Sequence, residues 1–361
     1  MKYIDEFRDS KLAKGLRSRI KEIAQDRKVT LMEVCGTHTM AIARFGIKSL
    51  LPKNIKLLSG PGCPVCVTPT AFIDRAIAYS REPNIVVATF GDMMKVPGST
   101  SSLWKEKSKG MDIRIVYSVA AALKFAKHNP NKKVIFLAVG FETTVPSIAT
   151  SIIEAQAKGI ANFFVLCGHK LIPPVLKALL DSDDVRIDGF ILPGHVSTIT
   201  GTKVYEFIPK NYGVACCVSG FEPLDVLYSI LKLVESIANG EPRVDNEYRR
   251  AVREDGNIKA KSIMQEVFDV CDTDWRGIGR VDKSGLRIKD KYGKHDALIQ
   301  VKVEPEETRE YPDCICGEIL RGVKTPLDCK LFKTICNPQN ALGPCMVSSE
   351  GTCAAYYKYG G

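Results

Sequence analysis

Short apolar segments alternate with helical segments from residue 28 to about residue 221, and this alternation restricts the fold more than any other feature. The apolar segments are rich in Val and Ile. They lie at 28–34, 56–59, 84–90, 112–117, 133–139, 162–167, 188–192 and 212–218. Such runs are typical of parallel strands that are buried on both faces and connected by helices. The pattern therefore predicts an α/β fold with parallel sheets.

Nearly every predicted strand is followed by a polar segment that contains glycine. These segments begin at Cys35, Gly60, Gly91, Gly140, Gly168, Pro193 and Gly220. In parallel α/β folds, ligands bind outside the carboxyl ends of the strands. Each segment by itself is a weak signal, but together they predict a functional cleft at that edge of the sheets.

Eight strand–helix units are compatible with a (β/α)₈ barrel or with two doubly wound sheets of about four strands each. The long connection at 92–111 interrupts the regular spacing, and it contains Pro97 and Gly98. We therefore favour two doubly wound parallel-sheet domains around a cleft, followed by a small Cys-rich domain. The predicted boundaries are 1–27 for an N-terminal helix, 28–125 and 126–240 for the two α/β domains, and 241–361 for the Cys-rich domain.

The chain after residue 221 departs from the strand–helix pattern. A helix is predicted at 222–238, where Gly240 ends it. A polar segment and a second helix to about Val270 follow, and short strands are expected near 285–289 and 297–303. These elements connect the α/β region to the cysteine-rich end of the chain.

The composition restricts the class of protein. Thirteen cysteines in 361 residues indicate metal or redox chemistry, because a chain of this length does not need a disulfide framework. No apolar run approaches the ~20 residues of a membrane span, and no signal peptide is recognisable at the start, so we expect a cytoplasmic protein without a membrane partner. The net charge is +10, but the basic residues are scattered, which predicts no nucleic-acid partner.

Cys63 and Cys66 lie three positions apart, between glycine and proline residues. A helix is predicted at about 70–80, with Thr68 as its N-cap and Pro69 at its first position. Because a helix N-terminus carries free N–H groups and partial positive charge, it would lower the pKa of a nearby thiol. The pair is therefore a candidate for disulfide exchange, for attack on an electrophile or for binding of a soft metal.

Six cysteines lie between residues 314 and 353. This segment has too little aliphatic content to form a core, so we expect an inorganic group to hold it together. The candidate ligands are Cys314, Cys316, Cys329, Cys336 and Cys353. Structural zinc is usually bound by two closely spaced ligand pairs, whereas the wide and unequal spacing here favours an iron–sulfur cluster. Zinc and unliganded thiols remain the alternatives.

Cys35 and His38 follow the first predicted strand, with a glycine between them, so both side chains could face the cleft. Thiolate and imidazole are ligands for zinc and equally for low-spin iron. One alternative is a zinc site that also includes Cys63 and Cys66. Another is a buried cysteine beside a hydrogen-bonded histidine.

Five motifs follow one another along the chain. They are MEVCGTH at 32–38, GPGCPVC at 60–66, GFETT at 140–144, PGHVS at 193–197 and MVSSEGTCAA at 346–355. Together they resemble the HypD family, whose members take part in the maturation of [NiFe] hydrogenases. The resemblance extends from about residue 5 to residue 358, with all motifs in order, and is therefore highly specific.

The resemblance implies a scaffold on which iron acquires one CO and two cyanide ligands before delivery to the hydrogenase large subunit. Its partners would be a small HypC-like chaperone and a HypE-like cyanide donor. It also implies two α/β domains around a cleft plus a domain that carries a [4Fe-4S] cluster. Matched position by position, Cys35 is the iron-binding cysteine with His38 as its neighbour, and Cys63 and Cys66 are the redox-active pair. The cluster ligands would be Cys329, Cys336 and Cys353, with Cys314 or Cys316 as the fourth.

The expected protein is thus a metal-cofactor assembly scaffold with redox activity rather than an enzyme of ordinary turnover. In this scheme the cluster supplies electrons to the Cys63–Cys66 pair. An alternative of another class is an iron–sulfur disulfide oxidoreductase, in which the same pair acts on a protein substrate. A third is a zinc-stabilised binding protein.

Overall fold

The computed structural model of the protein describes residues 5–184 and 186–360. Residues 1–4, which belong to the predicted N-terminal segment, lie outside the described residues. The strands are β1 (Val29–Glu33), β2 (Ile55–Ser59), β3 (Ile85–Thr89), β4 (Ile113–Ile115), β5 (Lys133–Ala138), β6 (Phe163–Cys167), β7 (Gly189–Pro193), β8 (Ala215–Ser219), β9 (Val244–Asn246), β10 (Phe268–Trp275) and β11 (Gly279–Ile288).

The helices lie between these strands and in the last third of the chain. They are α1 (Ser10–Ala24), α2 (Gly36–Arg44), α3 (Ile47–Leu50), α4 (Pro64–Val67), α5 (Thr70–Arg81), α6 (Leu103–Ser108), α7 (Val119–His128), α8 (Val145–Ala157), α9 (Ile172–Leu180), α10 (Gly194–Thr200), α11 (Phe207–Tyr212), α12 (Pro223–Asn239), α13 (Ile258–Val267), α14 (Ala297–Gln300), α15 (Cys316–Leu320), α16 (Pro344–Val347) and α17 (Thr352–Tyr359). Short 3₁₀ turns lie at Asp5–Arg8, Gly91–Met93, Lys203–Tyr205, Asp290–His295 and Pro326–Asp328.

Two parallel sheets form the α/β region. Sheet A has the strand order β2-β1-β7-β8-β9, and sheet B has the order β4-β3-β5-β6. Strands β10 and β11 form a separate antiparallel hairpin. Each of the eight predicted apolar segments overlaps one of the strands β1 to β8, so the predicted α/β class with two parallel sheets is confirmed and the barrel alternative is wrong.

The sheets do not follow the order of the sequence. Strand β1 pairs with β2 on one side and with β7, which comes much later in the chain, on the other, and sheet B is formed by the strands between β2 and β7 in sequence. A division of the chain after residue 125, as predicted from the sequence, falls between β4 and β5 and therefore inside sheet B. Apolar periodicity identifies strands but carries no information on which strands pair.

Strand β3 shows why these segments form buried strands. Successive side chains of a strand point to opposite faces of the sheet. Ile85 and Val87 pack in the core that faces sheet A, whereas Val86 and Ala88 pack in the core on the other face of sheet B. Both faces of β3 are therefore covered, and an uninterrupted apolar run is the sequence that burial on both faces requires.

A single core joins the two sheets to the Cys-rich end of the chain. It contains Met32 from sheet A, Val87 and Ile135 from sheet B, and Met346 from α16. Helix α17 packs against α2, and the Lys48 ammonium donates a hydrogen bond of 2.6 Å to the Tyr356 hydroxyl. The last segment of the chain is therefore held by apolar packing against the α/β region.

The region between β9 and the Cys-rich segment differs from its prediction in two places. Helix α13 ends at Val267, where β10 begins, and residues 297–300 form helix α14 instead of a strand. The Asp296 carboxylate accepts a hydrogen bond from the Leu298 N–H and so caps α14. Short apolar runs do not distinguish a strand from one turn of helix, and here the cap decides.

None of the helices in the described residues has the length and apolar character needed to cross a membrane.

The contact between the β1 and β2 loops generates a prediction about stability. A Cβ on Gly62 would lie 2.1 Å from the Cys35 nitrogen, which is too close for any side chain. Gly62→Ala should therefore lower the free energy of unfolding by ~1–3 kcal/mol or more, because the backbone at Cys35 must move. Gly15→Ala is the control, since a Cβ there meets nothing within 4 Å. That exposed helical change should raise stability by ~0.5–1 kcal/mol.

Urea denaturation of both variants checks this expectation. Equal stability of Gly62→Ala and the unchanged protein would show that the two loops do not need their close contact.

Candidate metal and redox site

Cys35 connects strand β1 to helix α2 and occupies the N-cap position with extended backbone angles. Its N–H donates a hydrogen bond of 3.0 Å to the buried carboxylate of Glu33, and its carbonyl accepts one of 3.1 Å from the Thr39 N–H. The Gly36 N–H also donates to the Gly62 carbonyl at 2.8 Å. These bonds hold the backbone on both sides of Cys35, so the thiol has a defined position.

A cleft of about 400 Å³ lies at the carboxyl ends of the strands of both sheets. Cys35 and His195 line it from sheet A, and Asp92 and Thr144 line it from sheet B. The predicted location of a cleft at this edge is therefore confirmed. Its walls combine one thiol with hydroxyl, imidazole and carboxylate groups.

His38 lies beside the cleft rather than in its wall. Its Nε2 lies 2.9 Å from the Gly220 carbonyl oxygen, and its ring lies 4.8 Å from the ring of Phe221. Burial lowers the pKa of His38 to about 4, so the ring is neutral near pH 7 and its Nε2–H donates to Gly220. His195 stacks on the same Phe221 ring at 4.0 Å and lines the cleft, so it is the histidine that faces the site.

The Cys63–Cys66 motif forms its own short helix, α4, with Cys63 at the N-cap. The Cys63 sulfur accepts a hydrogen bond of 3.3 Å from the Cys66 N–H. Thr68 is predicted to be the N-cap of the next helix. Instead it is the C-cap of α4, and its hydroxyl donates a hydrogen bond of 2.8 Å to the Pro64 carbonyl. The reason is Pro64, whose ring favours the first position of a helix and so starts a helix inside the motif.

Both sulfurs of this pair are buried, and neither cysteine lines the cleft. Cys63 is 3% exposed and Cys66 is fully buried. The Cys63 thiol lies 3.3 Å from the Ser348 hydroxyl, and the Cys66 thiol donates to the Pro344 carbonyl at 3.9 Å. Burial raises the pKa of Cys66 well above its usual value, so the low thiol pKa predicted for the pair does not apply to Cys66.

Cys345 connects the motif to the Cys-rich segment, and the sequence analysis assigned it no role. Its fully buried thiol interacts electrostatically with the thiols of Cys66 and Cys316. Cys316 interacts in the same way with Cys314, and a Cβ on Gly343 would lie 2.9 Å from the Cys314 sulfur and 3.3 Å from the Cys316 sulfur. We call the succession of Cys63, Cys66, Cys345, Cys316 and Cys314, in which each thiol interacts with the next, the row of thiols. The sequence shows Cys345 only as one of six clustered cysteines, because its partner Cys66 is far away in the chain.

The Cys353 thiol interacts electrostatically with three other thiols of the segment. Burial raises the pKa of the Cys353 thiol, and its electrostatic interaction with Cys314, Cys329 and Cys336 raises it further. Cys336 likewise interacts with Cys314 and Cys329. Cys314 thus belongs both to this group and to the row of thiols. We define the group of Cys314, Cys329, Cys336 and Cys353 as the four-thiol group.

The four-thiol group has the number and kind of ligands that one [4Fe-4S] cluster takes. Within the described residues, no three His, Cys, Asp or Glu side chains converge closely enough to bind one metal ion. A [4Fe-4S] cluster instead takes one thiolate at each of four irons, so its ligands surround a larger volume. Its irons would also compensate the negative charge that makes deprotonation of these crowded thiols unfavourable.

Glu350, for which the sequence predicts no role, lies close to Cys35. Its carboxylate lines the cleft and accepts a hydrogen bond of 2.6 Å from the Thr37 hydroxyl. Gly36 lies against it so closely that a Cβ there would be 2.5 Å from the Glu350 Cβ. Burial, together with the charge of Glu350, raises the pKa of Cys35 to about 12. The Cys-rich segment therefore contributes a carboxylate to the surroundings of Cys35.

Two further motif carboxylates stabilise helix starts. Glu142 accepts a hydrogen bond of 2.9 Å from the Ile172 N–H at the start of α9, and Glu222 forms a capping box with Asp225 at the start of α12. The Oε2 atom of Glu142 has no hydrogen-bond partner in the described part of the chain. Both carboxylates therefore act as helix caps.

Comparison with known proteins identifies the family. The HypD family model, described as "Hydrogenase formation hypA family", matches residues 11–360. The chain belongs to the HypD family. Hydrogenase maturation factor HypD of Cupriavidus necator is 47% identical over 369 residues, which cover 100% of this chain and 97% of that protein. The factor of the same name from Escherichia coli is 42% identical over 366 residues, covering 99% of this chain and 98% of that protein.

The motifs that resemble the HypD family come from distant parts of the chain but meet in space. The motifs at 32–38 and 60–66 share a backbone hydrogen bond, and the motif at 346–355 contacts both of them. The motifs at 140–144 and 193–197 line the same cleft. One site therefore accounts for all five HypD-type motifs.

The buried carboxyl of Glu142 generates a prediction about pH. Burial raises its pKa from 4.5 to about 7. Between these pH values the folded protein holds a proton that the unfolded chain has lost, so the Glu142 contribution to stability decreases as pH rises through this window. Glu142→Gln should reduce this loss, because the amide keeps an acceptor for Ile172 and does not ionise.

The measurement is the free energy of unfolding at about pH 5 and about pH 8 for each protein. Glu241→Gln, at an exposed glutamate, is the control and should leave the pH dependence as it is. An unchanged pH dependence in Glu142→Gln would contradict the assigned pKa.

Proposed function

We propose that this protein is a scaffold on which the iron of a [NiFe] hydrogenase receives one CO and two cyanide ligands, with Cys35 as the anchor of the iron. The observation that carries the proposal is the position of Cys35. Its thiol lines the cleft, while the row of buried thiols begins in the neighbouring loop. Membership of the HypD family supports the same assignment.

The chemistry of Cys35 agrees with this role. Thiolate is a soft ligand and therefore suits iron that carries CO and cyanide. With a pKa raised to about 12, the free thiol keeps its proton near pH 7, so iron binding must be accompanied by loss of that proton. Glu350 lines the same cleft and interacts electrostatically with the thiol, and we assign it the role of proton acceptor.

The four-thiol group is the proposed binding site of a [4Fe-4S] cluster, with Cys314 as the fourth ligand. Cys316 contacts Cys345, and we assign it to the row of thiols instead. When bound, such a cluster supplies electrons one at a time. Reduction of a Cys63–Cys66 disulfide to two thiols consumes two electrons and two protons, so a bound cluster would have to be reduced twice by an external one-electron donor. Cys345 interacts electrostatically with Cys66 and with Cys353, and Cys316 with Cys314, so these two thiols connect the pair to the four-thiol group and support this proposal.

The proposed partners are a HypC-like chaperone and a HypE-like cyanide donor. Family membership supports both. Residues that follow strands of both sheets line the cleft, so a partner bound at its mouth would contact both sheets.

The geometry favours the scaffold over a disulfide oxidoreductase. An oxidoreductase that acts on a protein substrate must present a thiolate to the substrate disulfide. Here Cys63 is 3% exposed, Cys66 is fully buried, and neither sulfur lines the cleft. The pair is therefore positioned for exchange with internal thiols.

The first test of this proposal separates Cys314 from Cys316. Protein purified without oxygen should contain about four irons and four sulfides per chain. Cys314→Ser should lose most of that iron and the brown colour, because a ligand is removed. Cys316→Ser is the matched variant and should keep both, but its Cys63–Cys66 disulfide should be reduced more slowly. Zinc without sulfide, or equal iron loss in both variants, would contradict the assignment.

The second test concerns Cys35. Cys35→Ala should keep the fold and the cluster absorbance, yet lose the infrared bands of CO and cyanide and the ability to mature hydrogenase. Cys271→Ala, at a half-buried cysteine of the β10–β11 hairpin, is the control and should retain all of these properties. If Cys35→Ala still carries the infrared bands, the iron is anchored elsewhere.

A further inference from the structure

The four-thiol group is not uniformly buried. Cys336 and Cys353 are each 8% exposed, whereas Cys314 and Cys329 are half-buried. Cys314 is also a member of the row of thiols, whose other members are buried. Cys329 is therefore the half-buried member of the group that lies outside the row, and it brings the proposed cluster site to the protein surface.

Hydrogen bonds fold the chain around Cys329 into a compact loop. The Cys329 N–H donates to the Pro326 carbonyl at 3.2 Å, and the Cys329 carbonyl accepts from the Phe332 N–H at 3.0 Å. Thr325 and Asp328 form a capping box at the start of the 3₁₀ turn that precedes Cys329. Because these bonds already order the loop, a partner that binds it loses little free energy in ordering it.

The loop at residues 324–336, which we call the Cys329 loop, has two exposed apolar side chains. Leu327 is 65% exposed and Ile335 is 49% exposed. Phe332 lies between them in the sequence, but it is buried, and its ring packs edge-on against the ring of Tyr357 at 6.4 Å. Phe332 therefore fixes the loop to helix α17, while Leu327 and Ile335 remain available to a partner.

The charges on and beside the Cys329 loop are mainly positive. They belong to four lysines and two carboxylates, namely Lys56, Lys324, Lys330, Lys333, Glu318 and Asp328. Both carboxylates interact with lysines of this set, and Glu318 pairs with Lys324 at 2.7 Å. Lys330 and Lys333 are exposed, and within the described residues neither pairs with a carboxylate. An excess of two positive charges therefore remains on this surface.

We propose that the Cys329 loop is the docking surface of a small acidic protein that carries one electron, an inference that rests on the cluster proposed above. Lys330 and Lys333 would attract and orient the carboxylates of such a protein. Leu327 and Ile335 would supply the apolar contact beside Cys329. Interfaces between electron-transfer proteins are small, so a single loop is large enough to form most of one.

The proposed surface separates electron supply from iron binding. None of residues 324–336 lines the cleft that contains Cys35. In each of two encounters the carrier would be oxidised by one electron and the cluster reduced by one, while the cleft stays open. Two electrons and two protons then convert the Cys63–Cys66 disulfide to two thiols.

The test uses the full chain, purified without oxygen together with its iron and sulfide, and a reduced plant-type [2Fe-2S] ferredoxin as the acidic carrier. Stopped-flow absorbance gives the second-order rate constant of electron transfer, which should decrease as the ionic strength rises. Lys330→Glu and Lys333→Glu should each lower this rate constant by about tenfold, because they replace attraction by repulsion. Leu327→Ala, which removes exposed apolar surface, should also lower it.

Two controls accompany these variants. Lys14→Glu, at an exposed lysine of α1, makes the same change of charge and should leave the rate constant as it is. The methyl viologen radical is a small reductant that needs no docking surface, so it should reduce the cluster in every variant. Equal rate constants in Lys330→Glu, Lys333→Glu and Lys14→Glu would overturn the proposal. So would a failure of reduced ferredoxin where the methyl viologen radical succeeds.

Hydrogen exchange gives a second readout that locates the surface without electron transfer. Oxidised ferredoxin should slow exchange in residues 324–336 and leave α1 unaffected, and protection confined to other segments would contradict the proposal. A preparation without iron and sulfide would instead contradict the cluster assignment and remove the basis of the docking surface. The two failures are therefore distinguishable.

Discussion

The packing of the Cys-rich segment against both sheets is the constraint on which the rest of this structure depends. Met32, Val87 and Met346 come from the three parts of the chain and share one core. That core excludes water from the thiols of Cys66 and Cys345. A thiol in such surroundings stays protonated, because a thiolate there would be poorly solvated. Any redox or metal-binding step that forms a thiolate here must therefore release the thiol proton or bring in a cation that compensates the negative charge.

The same packing determines the surroundings of Cys35. Two glycines, Gly36 and Gly62, allow the β1 loop, the β2 loop and Glu350 to approach more closely than any side chain would permit. As a result, one thiol faces the cleft beside a carboxylate, while the other thiols lie behind it. An iron complex bound in the cleft, as proposed, would therefore leave the buried thiols unexposed. This separation is the structural basis of the proposed scaffold function.

Much of the fold was predictable, and the errors have identifiable causes. Burial on both faces makes β3 and its neighbours visible as apolar runs, so the strands could be located from the sequence. Strand pairing depends on contacts between distant segments. The insertion of sheet B between β2 and β7 could therefore not be predicted from the sequence. Thr68 was misread because Pro64 starts a helix within the motif, and residues 297–300 were misread because the Asp296 side chain stabilises a helical turn. The last two errors came from local interactions that apolar periodicity does not report.

By itself, the sequence determined the α/β class, the carboxyl-end location of the site and the set of cysteines available to it. These properties follow from periodicity and residue type, which are local. Only the tertiary structure decided that His195 rather than His38 faces the cleft, and that Cys345 joins Cys66 to Cys316. These relations depend on the direction of side chains that packing brings together from segments far apart in the chain. The direction of these side chains cannot be predicted from residue spacing, because it is determined by the core that the two sheets share with the Cys-rich segment.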